Sequence, residues 1–141
     1  MKIIGLNNIE TAVSPVFAEE IRRRTGENVY LCYQCKKCAS GCPVRGFMEG
    51  SPAELMRFAQ LGLVDYCMQG KAIWFCSSCQ TCTTRCPQGI DIAHVIDTMR
   101  IIAQETNVKA DTRGMKLFNK LWLVIMKYMG RMYELALTGL L

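Results

Sequence analysis

Apolar residues along most of this chain recur at intervals of three and four, and the residues between them carry helix start and stop signals. In SPVFAEEIRRRTG, Ser14 takes the N-cap position, Pro15 opens the helix, Glu19 and Glu20 come early, arginines come late, and Gly26 stops it. SPAELMRFAQLG repeats the grammar: Ser51 caps, Pro52 starts, Glu54 completes a capping box and Gly62 ends the helix, with Leu55, Phe58, Ala59 and Gly62 on one face. Asp91 caps IAHVIDTMRIIAQE, where Ile92, Val95, Ile96, Met99, Ile102 and Ala103 form a stripe. The single histidine, His94, reads as a partly exposed neighbour of that stripe. No segment sustains the alternation of a half-buried strand. AIWF, residues 72 to 75, is a short apolar run open to an extended reading, with Trp74 and Phe75 either keeping water from the segment that begins at Cys76 or serving equally well as ordinary core.

The pattern changes near the C-terminus, in RGMKLFNKLWLVIMKYMGRMYELALTGLL. On a helical wheel Lys116, Lys120, Lys127 and Arg131 fall in one narrow stripe. Leu117, Phe118, Leu121, Trp122, Ile125, Met129, Met132 and Tyr133 cover most of the rest. Such an arc is broader than a surface helix on a small domain needs. It predicts a helical tail over 115–141 that docks on a partner protein, with contact to a membrane surface as the other reading.

Composition narrows the setting. The chain has 141 residues, half of them apolar, and a formal charge of +5. That charge is too moderate to choose a partner. RRR at 22 to 24 has no interleaved aromatics and is too short for a nucleic-acid patch, so no nucleic-acid partner is expected. MKIIGLNNIE lacks the apolar core of a signal peptide, and no stretch reaches the roughly 18 to 20 apolar residues of a membrane span. The expected compartment is the cytoplasm, where thiols stay reduced. Nine cysteines there point to metal, and their odd number argues against a disulfide framework.

Eight of the nine form a repeat. CYQCKKCASGCP places Cys32, Cys35, Cys38 and Cys42 before Pro43; CSSCQTCTTRCP places Cys76, Cys79, Cys82 and Cys86 before Pro87. Both read C-x2-C-x2-C-x3-C-P, the spacing of two-cluster ferredoxins. A cubane [4Fe–4S] cluster needs four thiolates. Three close cysteines wrap it in one loop whose amides face its sulfurs, and the fourth is carried away. In that arrangement the fourth cysteine ligates the other cluster. Two [4Fe–4S] clusters are therefore expected, one on Cys32, Cys35, Cys38 and Cys86, the other on Cys76, Cys79, Cys82 and Cys42. Zinc prefers separated ligand pairs around one ion and fits a duplicated triplet poorly. Cys67 lies outside both runs and reads as a small buried hydrophobe. Between the runs, residues 43 to 75 hold one full helix and a second short one, where a β-rich ferredoxin has a tighter strand-based link. The expected fold is all-α: an α-helical ferredoxin domain with two clusters and a long C-terminal amphipathic helix. The expected organisation is an N-terminal helical extension over 1–27, the cluster domain over 28–107 and the docking tail over 108–141.

No phosphate-binding glycine loop, carboxylate pair or activated nucleophile is evident, so no substrate active site is expected in the chain itself. NVYLCYQCKKCASGCPV, LMRFAQLG, IWFCSSCQTCTTRCPQGIDI and the ending MGRMYELAL resemble the C-type polypeptide of heterodisulfide reductase and its bacterial relatives, from about Gly26 onward. The resemblance implies a helical two-cluster ferredoxin that relays single electrons. Its expected partners are a flavin- and cluster-containing A-type subunit and a B-type subunit whose CCG motifs build the disulfide-reducing site. This chain has no adjacent cysteine pair, so the CCG site would come in trans. The alternative is the iron–sulfur subunit of a membrane-associated respiratory oxidoreductase, which uses a similar helical domain fused to another. A freely diffusing ferredoxin is disfavoured by the positive charge and apolar tail.

Overall fold

The helix signals act locally, and the computed structural model, which describes residues 14–106, 108, 113–131 and 139, places helices where they occur. Helix α1 (Pro15–Thr25) ends at Gly26, in the left-handed region at φ 78°. Ser14 stands at its N-cap, but its side chain makes no capping bond. Its backbone N–H instead donates to the carbonyl of Gly62, 2.9 Å away. A 3-10 turn (Val29–Leu31) leads into the first cysteine run, whose centre forms α2 (Lys37–Ser40). A second 3-10 turn (Arg45–Phe47) precedes α3 (Pro52–Leu61). There Ser51 and Glu54 make both bonds of the capping box. Gly62 ends α3 at φ 68°, and a Cβ on it would lie 2.5 Å from the Ser14 carbonyl oxygen. Conformation and close approach both require glycine there.

Next comes the short α4 (Val64–Met68). AIWF is not extended as its composition suggests: it forms one helical turn, α5 (Ala72–Phe75). The Lys71 carbonyl accepts from both Trp74 and Phe75 N–H at 3.0 Å, and the turn buries Ala72, Ile73 and Trp74 together. The second run centres on α6 (Thr81–Thr84), and α7 (Ile92–Glu105) comes after it with Asp91 accepting from the His94 N–H at its start. Among the described residues no strand is present.

The core gathers around α7, which packs against α1, α3, α4, α5 and α6. All six residues of its predicted stripe are buried, as are Phe17 and Ile21 of α1, Leu55 and Met56 of α3, and Met68 of α4. An ionic staple adds to this on the surface. Hydrogen bonds from Arg23 and Arg24 hold the Glu20 carboxyl down to a pKa of about 2, and Arg24 also reaches Glu105 of α7 at 2.8 Å.

The chain divides into two units, Met1–Asp111 and Thr112–Leu141. In the second, α8 (Arg113–Met129) runs for 17 residues. Lys120, Lys127 and Arg131 are exposed, and so are Leu117, Trp122, Leu123, Val124, Met126, Tyr128 and Met129. The expected continuation of the tail through Met132 and Tyr133 lies outside the described residues, as does the side chain of Lys116. Among the described residues no helix is long and apolar enough to cross a membrane.

Candidate metal centre

The two cysteine runs fold alike, residue by residue. In each, the first cysteine (Cys32, Cys76) is half-buried at the end of a short helical turn. The second (Cys35, Cys79) is exposed, and the third (Cys38, Cys82) is buried as the second residue of a four-residue helix. The fourth (Cys42, Cys86) is half-buried just beyond that helix.

The backbone repeats too. Gln34 and Lys36, at φ 62° and 61°, flank Cys35; Ser78 and Gln80, at φ 50° and 63°, flank Cys79. These four are the non-glycine residues with positive φ among those described. Each costs on the order of 1 kcal/mol or more, so surrounding structure must impose the conformation. Left-handed residues alternating with ordinary ones turn successive N–H groups to one side, forming the nest that takes an anion or an iron–sulfur cluster. None of the four is Gly, Asn or Asp, so composition carried no signal for them.

A cavity lies at the second run. It is lined by Cys76, Cys79 and Cys82 together with Cys42 from the first run, and its apolar wall comes from Val44, Met48, Pro52, Ala93 and Ile96. Met48 Sδ stands 3.9 Å from Cys42 Sγ. At the first run, the exposed Tyr33 has its phenol pushed up, first by desolvation and then by the sulfurs of Cys35, Cys86 and Cys32 around it. Packing of α2 on α6 sets the two runs side by side. A Cβ on Gly41, just before Cys42, would meet the exposed Arg85 side chain at 2.6 Å. Arg85 holds the same place before Cys86 that Gly41 holds before Cys42.

The donors suit a soft metal group. Burial pushes the Cys38 and Cys76 thiols up and Cys82 to about 11. Cys79, at the surface, is lowered by its hydrogen bond with the Thr81 hydroxyl, 3.4 Å away. Gln34 Nε2 donates to Cys32 Sγ at 3.4 Å. Thr83, inside the second run, donates to the Asp91 carboxylate at 2.8 Å and accepts from the Ala93 N–H at 3.2 Å, locking the loop to the start of α7. Among the described residues no three of His, Cys, Asp and Glu converge as ligands of one ion would. Thiols spread around a nest with an apolar wall fit a cubane cluster, whose irons take one thiolate each. Cys67 stands apart: it is fully buried, its thiol is pushed up to about 12 by that burial, and its Sγ is 3.9 Å from the Leu55 carbonyl.

Known proteins bear on the same residues. The 4Fe-4S dicluster domain family matches residues 31–90. The chain is 34% identical over 110 residues to the iron–sulfur C-type polypeptide of the CoB–CoM heterodisulfide reductase of Methanopyrus kandleri, covering 78% of this chain and 55% of that protein. It is 31% identical over 84 residues to the C-type polypeptide of the H(2):CoB-CoM heterodisulfide,ferredoxin reductase of Methanothermobacter thermautotrophicus, covering 60% and 45%. It is 33% identical over 97 residues to a protein of Archaeoglobus profundus described as like the C-type polypeptide of heterodisulfide reductase, covering 68% and 52%. The chain thus spans about half the length of these curated relatives. With its duplicated cysteine loops inside a 4Fe-4S dicluster domain, the chain belongs to the family of heterodisulfide reductase C-type polypeptides, the HdrC homologues.

Proposed function

We propose that the chain is an iron–sulfur electron-transfer subunit of a heterodisulfide reductase-type assembly, with two [4Fe–4S] clusters as its cofactors. In this reading Cys32, Cys35, Cys38 and Cys86 hold one cluster, and Cys76, Cys79, Cys82 and Cys42 the other. The observation that carries it is the cavity in which Cys42 stands with the three cysteines of the other run. When bound, such clusters take up and release one electron at a time. The chain's own residues supply the rest. The wall of Val44, Met48, Pro52, Ala93 and Ile96 excludes water, and the pairing of α2 with α6 keeps the two sites adjacent. Exposed loops at Cys35 and Cys79 bring both sites to the surface, where a partner's redox centre can approach.

The partners in this reading are an A-type flavin/iron–sulfur subunit and a B-type CCG-domain subunit, docked in part through the tail at 115–141. The organisation into an extension over 1–27, a cluster domain over 28–107 and a docking tail over 108–141, with the cytoplasm as its compartment, belongs to the same proposal. Anaerobic iron and sulfide analysis with EPR of the reduced protein tests the cofactors: about eight irons and eight sulfides per chain are expected. One cluster, or stoichiometric zinc, would overturn the reading. Co-purification of the native assembly tests the partners.

A further inference from the structure

The structural repeat extends beyond the cysteines to a pair of side chains that sequence spacing does not connect. Gln60, on the helix after the first run, donates through one nitrogen, Nε2, to the carbonyls of Val29 at 2.9 Å and Cys32 at 2.7 Å. Arg100, on the helix after the second run, donates through Nε to the Ile73 carbonyl at 2.9 Å and through Nη2 to the Cys76 carbonyl at 2.8 Å. Val29 and Cys32 match Ile73 and Cys76 position for position. Each pair joins a carbonyl of a short helical turn to that of the cysteine capping its end; the Val29 carbonyl also accepts from the Cys32 N–H at 3.2 Å. One side chain bridges the two carbonyls in each half and so fixes the first cysteine of its run.

The halves differ in charge. Gln60 is neutral, and its Oε1 accepts from the exposed Arg57 one turn earlier, at 3.2 Å. Arg100 is cationic, and its Nη1 lies 3.3 Å from Asp97 one turn earlier. Asp97 also accepts from the hydroxyl of Ser78, one of the left-handed residues beside Cys79, at 2.9 Å. A largely buried cation thus stands one carbonyl from Cys76. The corresponding charge in the first half, on Arg57, faces solvent and is screened.

We infer that Gln60 and Arg100 are positioning residues for the first cysteine of each run, and that Arg100 and Asp97 set the reduction potential of the second site independently of the first. The inference rests on the reading that both runs hold clusters. Reduction adds one negative charge to a site; a fixed cation beside it favours that state, and a fixed anion opposes it. Both effects come from chain groups held in place before any electron arrives.

Arg100→Gln is the direct test, because glutamine spans the same two carbonyls in the first half. Iron and sulfide content should stay at the wild-type level. In an EPR-monitored dithionite titration, one of the two midpoints should fall by at least about tenfold in the reduction equilibrium, about 59 mV for one electron, while the other stays put. Asp97→Asn, which leaves the clamp untouched, should move that same midpoint upward. Gln60→Met should weaken retention of the other cluster, with iron falling toward half. Wild-type protein lacking two clusters would sink the parent reading. Two clusters whose midpoints ignore both Arg100→Gln and Asp97→Asn would overturn this inference alone. Should Arg100→Gln shed its cluster, the Asp97→Asn midpoint decides by itself.

Discussion

Cys42 and Cys76, on different runs, line one cavity, where burial pushes the Cys76 thiol up. This is the relationship expected if the fourth cysteine of each run serves the other run's site. Cys42→Ala should therefore remove the cluster at Cys76, Cys79 and Cys82 and leave the one beside it in sequence, with about half the iron lost. Cys86→Ala should do the reverse. Cys67→Ala should retain both clusters, because that thiol is sealed in the core. EPR of each reduced variant distinguishes the two remaining signals. A Cys42→Ala protein that loses the signal also lost in Cys35→Ala would show that each run closes on itself.

The left-handed residues predict a different response. Lys36 is exposed at φ 61° between Cys35 and the first turn of α2. Lys36→Gly should relieve the steric cost of that conformation, about 1 kcal/mol, and be tolerated or slightly stabilising for cluster retention. Lys36→Val adds β-branching where φ is positive and should cost more than that, with slower cluster assembly on reconstitution. Cluster absorbance monitored during heating reads both. A valine variant as stable as wild type would show that the nest is not needed in this form.

Legibility in the sequence tracks the range of the interactions. The box of Ser51 and Glu54, the Asp91 cap and the stripe of α7 act within one or two helical turns, so spacing alone reveals them. The cysteine repeat is legible because its spacing is set by the chemistry of the group it holds. The four left-handed positions were not, since no glycine marks them. Gln60 and Arg100 look like ordinary polar helix residues until folding brings them to carbonyls 24 to 31 positions away. Ser14 looks like a cap, yet its backbone is taken up by Gly62. AIWF looks extended because four apolar residues in a row carry no period, and burial between α4 and α7 decides in favour of a turn.

Two helix-ending glycines give a matched pair. Gly26 and Gly62 both have positive φ, but a Cβ at Gly26 meets nothing within 4 Å, whereas at Gly62 it would strike the Ser14 backbone. Gly26→Ala should cost about 1 kcal/mol, the left-handed penalty alone. Gly62→Ala should cost distinctly more, because α1 and α3 must separate to admit the methyl group. The temperature at which the cluster absorbance bleaches should fall further for Gly62→Ala. Equal shifts would show that the approach of Ser14 to Gly62 contributes little.

The tail offers the last test. Its helix α8 presents Trp122, Met126 and Met129, which share one face, to solvent, more apolar surface than isolated side chains leave exposed on a monomer. We propose that a partner protein of the assembly covers this surface. Burying three such side chains would contribute several kcal/mol toward association, at roughly 1.5 to 3 kcal/mol each before the cost of immobilising the partners. The cysteine loops all lie in the other unit. Truncation before Met115 should leave iron and sulfide content unchanged while the chain no longer co-purifies with the A- and B-type partners proposed for it. Trp122→Asp should weaken that association in the same direction without loss of iron. A truncated chain that still co-purifies would overturn docking through the tail. Salt-sensitive binding of the full-length chain to anionic liposomes, lost on truncation, would transfer the tail's role to a membrane surface, where Lys120, Lys127 and Arg131 would face the headgroups.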